Sequence, residues 1–361
     1  MRIVASFAAA LCLTACAPAA PRLGLFNRQD DVGPVPAAGS ATYDAKTGVY
    51  RVTGGGRDIW AKSDDFHFVS KPESGDLILA ATLGWVTDSG DPHRKAGLMM
   101  RQSLAADSPY VDIVVHGNHH VALQYRDTPG GETHEIEAIL HGPGRMALER
   151  EGEYIYMSVA GTDGVLHHAG GGHRMKFAGT YYAGLVVCAH DDKITKTVDF
   201  SDVTLSAPSP SSAPIESTIE TVDATSAYRA VVYNAAGMLT SPAWTADGRS
   251  IAFSNGANRF AVTIPPEGGP ATEPSPIAGV APKSRNYVSP DGKWIAAISP
   301  ATDDTGDHEI TVTPVAGGRA TVLADFYGGP GSLGDDPWSA DSTHLTFVSY
   351  RAESQDKKVS N

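Results

Sequence analysis

Cysteine is the scarcest informative residue in this chain, with three among 361 residues, at positions 12, 16 and 188. Two of them fall in the N-terminal apolar segment, so the body of the chain has Cys188 alone and no intramolecular disulfide can staple it. Cys188 ends the apolar run Gly184-Leu185-Val186-Val187-Cys188, where a buried thiol behaves as a small hydrophobe. Basic charge is also short: 28 Lys and Arg against 41 Asp and Glu give a formal charge of −13. Phosphate binding needs a basic face, so no nucleic-acid partner is expected. Anionic headgroups would repel the same surface, and any membrane attachment therefore requires a specific anchor. Long apolar runs are missing as well. The opening stretch, Ile3 to Leu13, covers eleven residues, whereas a bilayer-crossing helix needs roughly 20. No Walker loop, dinucleotide fingerprint or Gly-x-Ser-x-Gly elbow in a strand-turn-helix setting occurs, which argues against nucleotide-dependent chemistry. No cofactor is expected.

Turn chemistry is abundant. The chain holds 38 glycines and 24 prolines, with 42% hydrophobic and 19% charged residues. That balance suits folded domains made of many short strands, and the length allows two of them. At the N-terminus, Arg2 precedes the apolar stretch, and Leu13-Thr14-Ala15-Cys16 resembles a bacterial lipobox. The resemblance implies a signal peptide over residues 1–15, cleavage before Cys16, and acylation there as the lipid anchor. Ala17 after the cysteine favours the outer membrane by the same analogy, with the protein facing the periplasm or the cell surface. Residues 16–40, rich in Ala, Pro and Gly, read as a tether. Ser206-Ala207-Pro208-Ser209-Pro210-Ser211-Ser212-Ala213-Pro214 marks an interdomain linker over 207–215.

Between tether and linker, residues 41–206 read as strands throughout. Tyr110 to His116, Val121 to Arg126 and Tyr154 to Ala160 are short and β-compatible, separated by turns such as Asp88-Ser89-Gly90 and Pro129-Gly130-Gly131. Ile155, Met157 and Val159 share one face by strict alternation. The run Gly54-Gly55-Gly56-Arg57-Asp58-Ile59-Trp60, then Asp65-Phe66-His67-Phe68 and Ser74-Gly75-Asp76, leads to the strand Lys95-Ala96-Gly97-Leu98-Met99-Met100-Arg101. With Tyr182 to Val187 and Val198 to Val203, these segments resemble the concanavalin-A-like lectin/glucanase modules. The resemblance implies a two-sheet jelly-roll sandwich and says little of function, because such modules include sugar binders and enzymes alike.

Residues 216–350 carry a repeat. Ser241-Pro242-Ala243-Trp244-Thr245-Ala246-Asp247-Gly248 recurs as Val288-Ser289-Pro290-Asp291-Gly292 and as Pro337-Trp338-Ser339-Ala340-Asp341. Asp291 follows Asp247 by 44 residues, and Asp341 follows Asp291 by 50. The motif is an aromatic strand end, a tight turn and an apolar strand, and it resembles the blades of TolB-like β-propeller proteins of the Tol-Pal envelope system. About two and a half blades fit, below the typical four, so the expectation is all-β: a jelly-roll sandwich followed by an incomplete propeller, as two separate β cores. Residues 351–361 form a tail. Asp247 and Asp291 read as turn formers.

Sugar recognition on a sheet face calls for planar polar groups beside aromatic platforms. Arg101 and Gln124 are the first candidates, with His116 and Arg126 on the same face. Trp60, Trp85, Tyr154 and Tyr156 are the candidate platforms. Glu135 and Glu137 share a strand face and partly match a glucanase Glu-x-Asp-x-Glu pattern, but the central Asp is absent. They are the catalytic pair only in the alternative reading, a glycan-active hydrolase or lyase. The histidine groups His116/His119/His120 and His167/His168/His173 lack zinc-type spacing with partner carboxylates and are read as structural or exposed, with no metal expected. The leading expectation is a non-catalytic envelope lipoprotein. Its sandwich would bind a carbohydrate or surface polymer, and its propeller an envelope protein partner.

Overall fold

The computed structural model describes residues 23–138, 144–160, 165–169, 172–208, 216–265, 271–277, 287–299, 307–328 and 331–351. The signal segment, the lipidation residue Cys16, most of the 207–215 linker and the tail beyond residue 351 lie outside them. Among the described residues every regular element is a strand, and no helix is long and apolar enough to cross a membrane.

The first block begins with β1 (Arg28–Val32), β2 (Ser40–Asp44), β3 (Val49–Gly56), β4 (Phe66–Glu73) and β5 (Leu77–Trp85). It continues with β6 (Lys95–Arg101), β7 (Tyr110–His116), β8 (Val121–Arg126), β9 (His134–Ala138) and β10 (Arg145–Glu151). Next come β11 (Tyr154–Ala160), β12 (Leu166–His168), β13 (His173–Arg174), β14 (Tyr181–Cys188) and β15 (Asp191–Ser206). The second block opens with β16 (Glu216–Asp223), β17 (Arg229–Ala236), β18 (Leu239–Trp244), β19 (Ser250–Asn255), β20 (Asn258–Thr263) and β21 (Ser275–Pro276). It ends with β22 (Trp294–Ser299), β23 (Asp307–Pro314), β24 (Thr321–Tyr327), β25 (Leu333–Trp338) and β26 (His344–Tyr350).

Two large sheets face each other in the first block. One runs β12-β11-β10-β5-β15-β3-β2, and the other begins β1-β4-β14-β6-β7-β8-β9. Period-two alternation turns Leu79, Leu148, Ile155, Met157, Val159, Val198 and Phe200 of the former toward Leu98, Met100, Ile113, Leu123, Leu185 and Val187 of the latter, in one buried cluster. Each such side chain taken from water stabilises by about 1.5–3 kcal/mol. Cys188 is free and buried; burial pushes its thiol up to about 12, so it packs as an inert hydrophobe.

The second sheet does not stop at β9. It continues through β17, β16, β26 and β25 into an eleven-stranded path, because β9 and β17 pair in parallel with Arg229 opposite Ile136 and Val231 opposite Ala138. Val231 joins the first block's core. The expected separation into two cores is therefore bridged by a shared sheet. Around the seam, Arg351 Nη2 donates to Glu149 Oε1 at 2.5 Å and to Glu151 Oε2 at 3.2 Å. Asn234 Nδ2 donates to the His168 carbonyl, and Arg174 pairs with Asp307 at 3.1 Å.

The rest of the second block forms two small open sheets, β18-β19-β20-β21 and β22-β23-β24. No sheet path closes on itself among the described residues. The repeat reappears as three equivalent turns. Asp247 Oδ1 accepts from Thr245 Oγ1 at 2.6 Å and from the Arg249 N–H at 3.1 Å. Asp291 accepts from Ser289 Oγ and Lys293 N at the same two distances, as does Asp341 from Ser339 Oγ and Thr343 N. Gly248, Gly292 and Ser342 hold the left-handed position, with φ of 68°, 73° and 64°. These aspartates form turns, which explains why the letters repeat.

Candidate functional site

Strands β6, β7 and β8 send one set of side chains into the core and the other to the outer face. Lys95, Met99, Arg101, Tyr110, Asp112, His116, Gln124 and Arg126 all lie on that outer face, opposite the core residues that alternate with them. Residues 57–65 cross over one part of it like a strap. Lys95 Nζ donates to Asp58 Oδ1 at 2.7 Å and to the Ile59 carbonyl at 2.8 Å. Arg126 holds Asp64 with two bonds of 2.8 and 2.7 Å and also donates to the Ala61 carbonyl at 2.9 Å. Arg101 donates to Asp64 at 3.3 Å and to the carbonyls of Ser103 and Ala105 at 2.7 and 2.6 Å. All three side chains are fully buried. Burial raises the Asp64 carboxyl and lowers the Arg101 guanidinium, and mutual pairing offsets that cost. Both arginines singled out as sugar ligands are thus directed into the strap and away from solvent.

The remaining candidates divide between two clusters near Lys95 and positions apart from both. In one cluster, half-buried Trp60 carries Lys95 Nζ 5.2 Å from its ring centroid. Asp58, held by Lys95, has its second oxygen 3.6 Å from His190 Nδ1, and the His190 ring lies 5.4 Å from that of His93. Asp91, His93 and His190 bring one ligand atom each within 4.8 Å of one another. Trp85 stands apart, under the Arg94 guanidinium at 4.7 Å. Tyr154 packs edge-on to Tyr327, and Tyr156 lies under Arg351, so both tyrosines are covered by the second block.

In the other cluster, His116, His120, Gln124, Glu135 and Glu137 converge. The β8–β9 register places Gln124 opposite Glu135 and Ala122 opposite Glu137. Gln124 Nε2 donates to Glu135 Oε2 at 3.2 Å and lies 3.5 Å from His116 Nε2. His120 Nδ1 is 2.9 Å from Glu137 Oε1, and its Nε2 is 3.8 Å from Glu135 Oε1. The Tyr228 hydroxyl, from the second block, donates to Glu137. Burial lowers His120, but the hydrogen bonds and charges of the two carboxylates outweigh it and carry the imidazole up to about 9. His116 goes the other way, to about 2, chiefly through burial and then through Lys95 and the neighbouring imidazoles. Burial works to raise Glu137, yet its bonds from His120 and Tyr228 hold it below the ordinary range. An ionised Glu137 has no proton to give a leaving group and, of the two carboxylates a glycosidase uses, could be only the nucleophile or base.

Sequence reasoning missed Asp58, Asp112, Tyr228 and the partnership of His120 with β9. A partial signal existed for the last. Glu135 and Glu137 share strand parity with each other, and His120 immediately precedes the strand that pairs with theirs.

No family model matches the chain, and no curated protein does. Solved structures are similar at low TM-scores. A protein of unknown function from Saccharomyces cerevisiae is 16% identical, with TM-score 0.38, over 47% of this chain and 92% of its own. The carbohydrate-binding module CBM66 from Bacillus subtilis is 18% identical, with TM-score 0.34, over 52% and 100%. A protein described as TolB from Agrobacterium tumefaciens is 14% identical, with TM-score 0.27, over 38% and 98%. Scores of this size carry no argument about function, which must come from the side chains.

Proposed function

We propose that the chain is a non-catalytic, lipid-anchored protein of the cell envelope whose first block, a jelly-roll sandwich, binds a carbohydrate or surface polymer. The second block is read as an incomplete propeller that docks an envelope protein. The supporting observation for sugar binding is the Trp60 shelf. A half-exposed indole beside Asp58 and His190 offers a flat apolar surface next to planar acceptors and donors, the combination that a ring with one C–H face and paired hydroxyls requires. For docking, the support is the pair of small open sheets, with Val315 exposed just after β23 and Val322 exposed on β24; open strand edges pair readily with other chains.

The test is a panel of envelope polysaccharides presented to the full-length protein, with binding and product release read together. Trp60→Ala and Asp58→Asn should each weaken retention by about tenfold, since one good contact contributes on the order of 1.4 kcal/mol. Retention unchanged in both variants sinks the shelf. Product release abolished by Glu135→Gln or Glu137→Gln establishes the hydrolase instead. Mass spectrometry of the mature N-terminus decides the anchor: an unmodified Cys16 removes the lipoprotein half.

A further inference from the structure

We propose that His116, His120 and Glu135 form the inner coordination sphere of a single zinc-type divalent metal ion, with Glu137 and Gln124 orienting the ligands. Each of the three offers a ligand atom within 4.8 Å of the others. Metal–ligand bonds of about 2.0–2.2 Å in a tetrahedral site put ligand atoms a little over 3 Å apart. His120 Nε2 and Glu135 Oε1 already stand at 3.8 Å, so small side-chain rotations close the set. Two imidazoles and one carboxylate suit a transition ion with an open fourth position, whereas calcium and magnesium seek oxygen throughout.

The surroundings are organised as a metal site's outer shell is. Glu137 engages His120 Nδ1 at 2.9 Å, which keeps that nitrogen as a donor and makes Nε2, facing Glu135, the nitrogen that would give up its proton to a metal ion. Tyr228 in turn donates to Glu137, so the second block braces the shell. Gln124 is fully buried. Its amide nitrogen holds Glu135, while its Oε1 has no hydrogen-bond partner. Opposite it in register lies buried Asp112. An unpaired buried acceptor is rare and costly. A cation at His116 Nε2 would displace only the 3.5 Å contact with Gln124, the longest of these bonds.

The turn that carries the two histidines is also fixed. His116 N–H donates to the His120 carbonyl at 2.8 Å, His119 N–H to the His116 carbonyl at 3.0 Å, and Asn118 N–H to the Pro92 carbonyl at 3.0 Å. The proposal uses none of the Trp60, Asp58 or His190 contacts and does not depend on the glycan reading.

The experiment uses the full-length chain, stripped with EDTA and titrated with Zn²⁺ alone by calorimetry and with Co²⁺ by visible absorption. One saturable equivalent is expected. Glu135→Gln, which keeps side-chain shape, should weaken uptake by at least about tenfold and change the Co²⁺ spectrum. Glu137→Gln should weaken it by about 10–100-fold while keeping the spectrum, as outer-shell changes do. His93→Gln should alter neither. No saturable uptake, or uptake insensitive to both glutamate variants, overturns the proposal. So does uptake lost in His93→Gln, which would place the ion at Asp91, His93 and His190.

Discussion

The two blocks solve the same problem in different ways. In residues 23–206, two broad sheets share one continuous apolar core, and the outer face of the larger sheet is sealed by a strap held by buried charge. In residues 216–351 the apolar residues divide into two smaller clusters, one around Phe326, Trp338 and Phe347 and the other around Ile251, Phe253 and Val262. Large side chains such as Met238, Ile295 and Val322 remain exposed there. The second block also extends the first block's sheet, through the three paired positions of β9 and β17. The first block can hold a site rigidly, and the second holds its own strands partly by leaning on the first.

The sharpest break in that comparison comes from Asp64. Replacing it with Ala leaves the Arg101 and Arg126 guanidiniums buried without their counter-charge, which should cost about 3–5 kcal/mol. Urea unfolding should show the midpoint collapse, and a loss under 1 kcal/mol would mean that the strap is not held by this triad. The second block has its own buried pair, Arg229 with Glu220 at 2.7 Å, with Ser349 also donating to Glu220. Glu220→Ala should cost about 3 kcal/mol by the same reasoning. Because Arg229 lies in the strand that joins the two blocks, unfolding is expected as one transition when followed by tryptophan fluorescence and circular dichroism together. Two resolved transitions would show that the seam does not couple them.

The sequence made the apolar faces legible but not their covers. Ile155, Met157 and Val159 were assigned to one buried face by alternation alone, and they occupy it. The same alternation put Arg101, Gln124 and Arg126 on the opposite face, correctly. It carried no information on residues 57–65 lying over that face, because the strap is held by long-range charge pairs that strand parity does not encode. The His120–Glu137 pairing depends on the β8–β9 register, and the parallel β9–β17 seam depends on which edge remains open after folding. Neither has a local signature. The Asp-Gly repeat was legible because its chemistry lies within five residues.

Acid should loosen the seam. His168 is buried where Asn234 meets its carbonyl, with its Nε2 3.7 Å from Glu216 and Arg351 close by. Burial first, then the Arg351 charge, push the imidazole down to about 3. The unfolded chain takes up that proton near pH 6.5, while the native one does so only near 3. The contribution is complete above about pH 6.5 and is lost as pH falls toward 3, by up to about 1.4 kcal/mol per unit. Between pH 6.5 and 5 the wild type should lose about 1.6 kcal/mol more than His168→Gln. Equal slopes would remove His168 from the account.

The smallest expected effect tests whether the repeat is one physical unit used three times. Ser289 and Ser339 are buried, and each hydroxyl donates to its turn aspartate while accepting a backbone N–H, from Trp294 at 3.0 Å and from His344 at 2.9 Å. Thr245 does the same for Ser250 N–H at 3.1 Å. Removing one such hydroxyl should cost about 1 kcal/mol. Ser289→Ala and Ser339→Ala should therefore match in the denaturant midpoint shift, with Thr245→Ala close to them. The third turn differs in having Ser342 at the left-handed position, and its hydroxyl accepts the Asp291 N–H at 3.0 Å. Ser342 thereby links the second and third repeats, and Ser342→Gly exchanges that bond for relief of backbone strain. The two terms are of similar size, so this variant should stay within about 1 kcal/mol of wild type. A loss well beyond that would show that the repeats are coupled through Ser342 and do not act as independent turns.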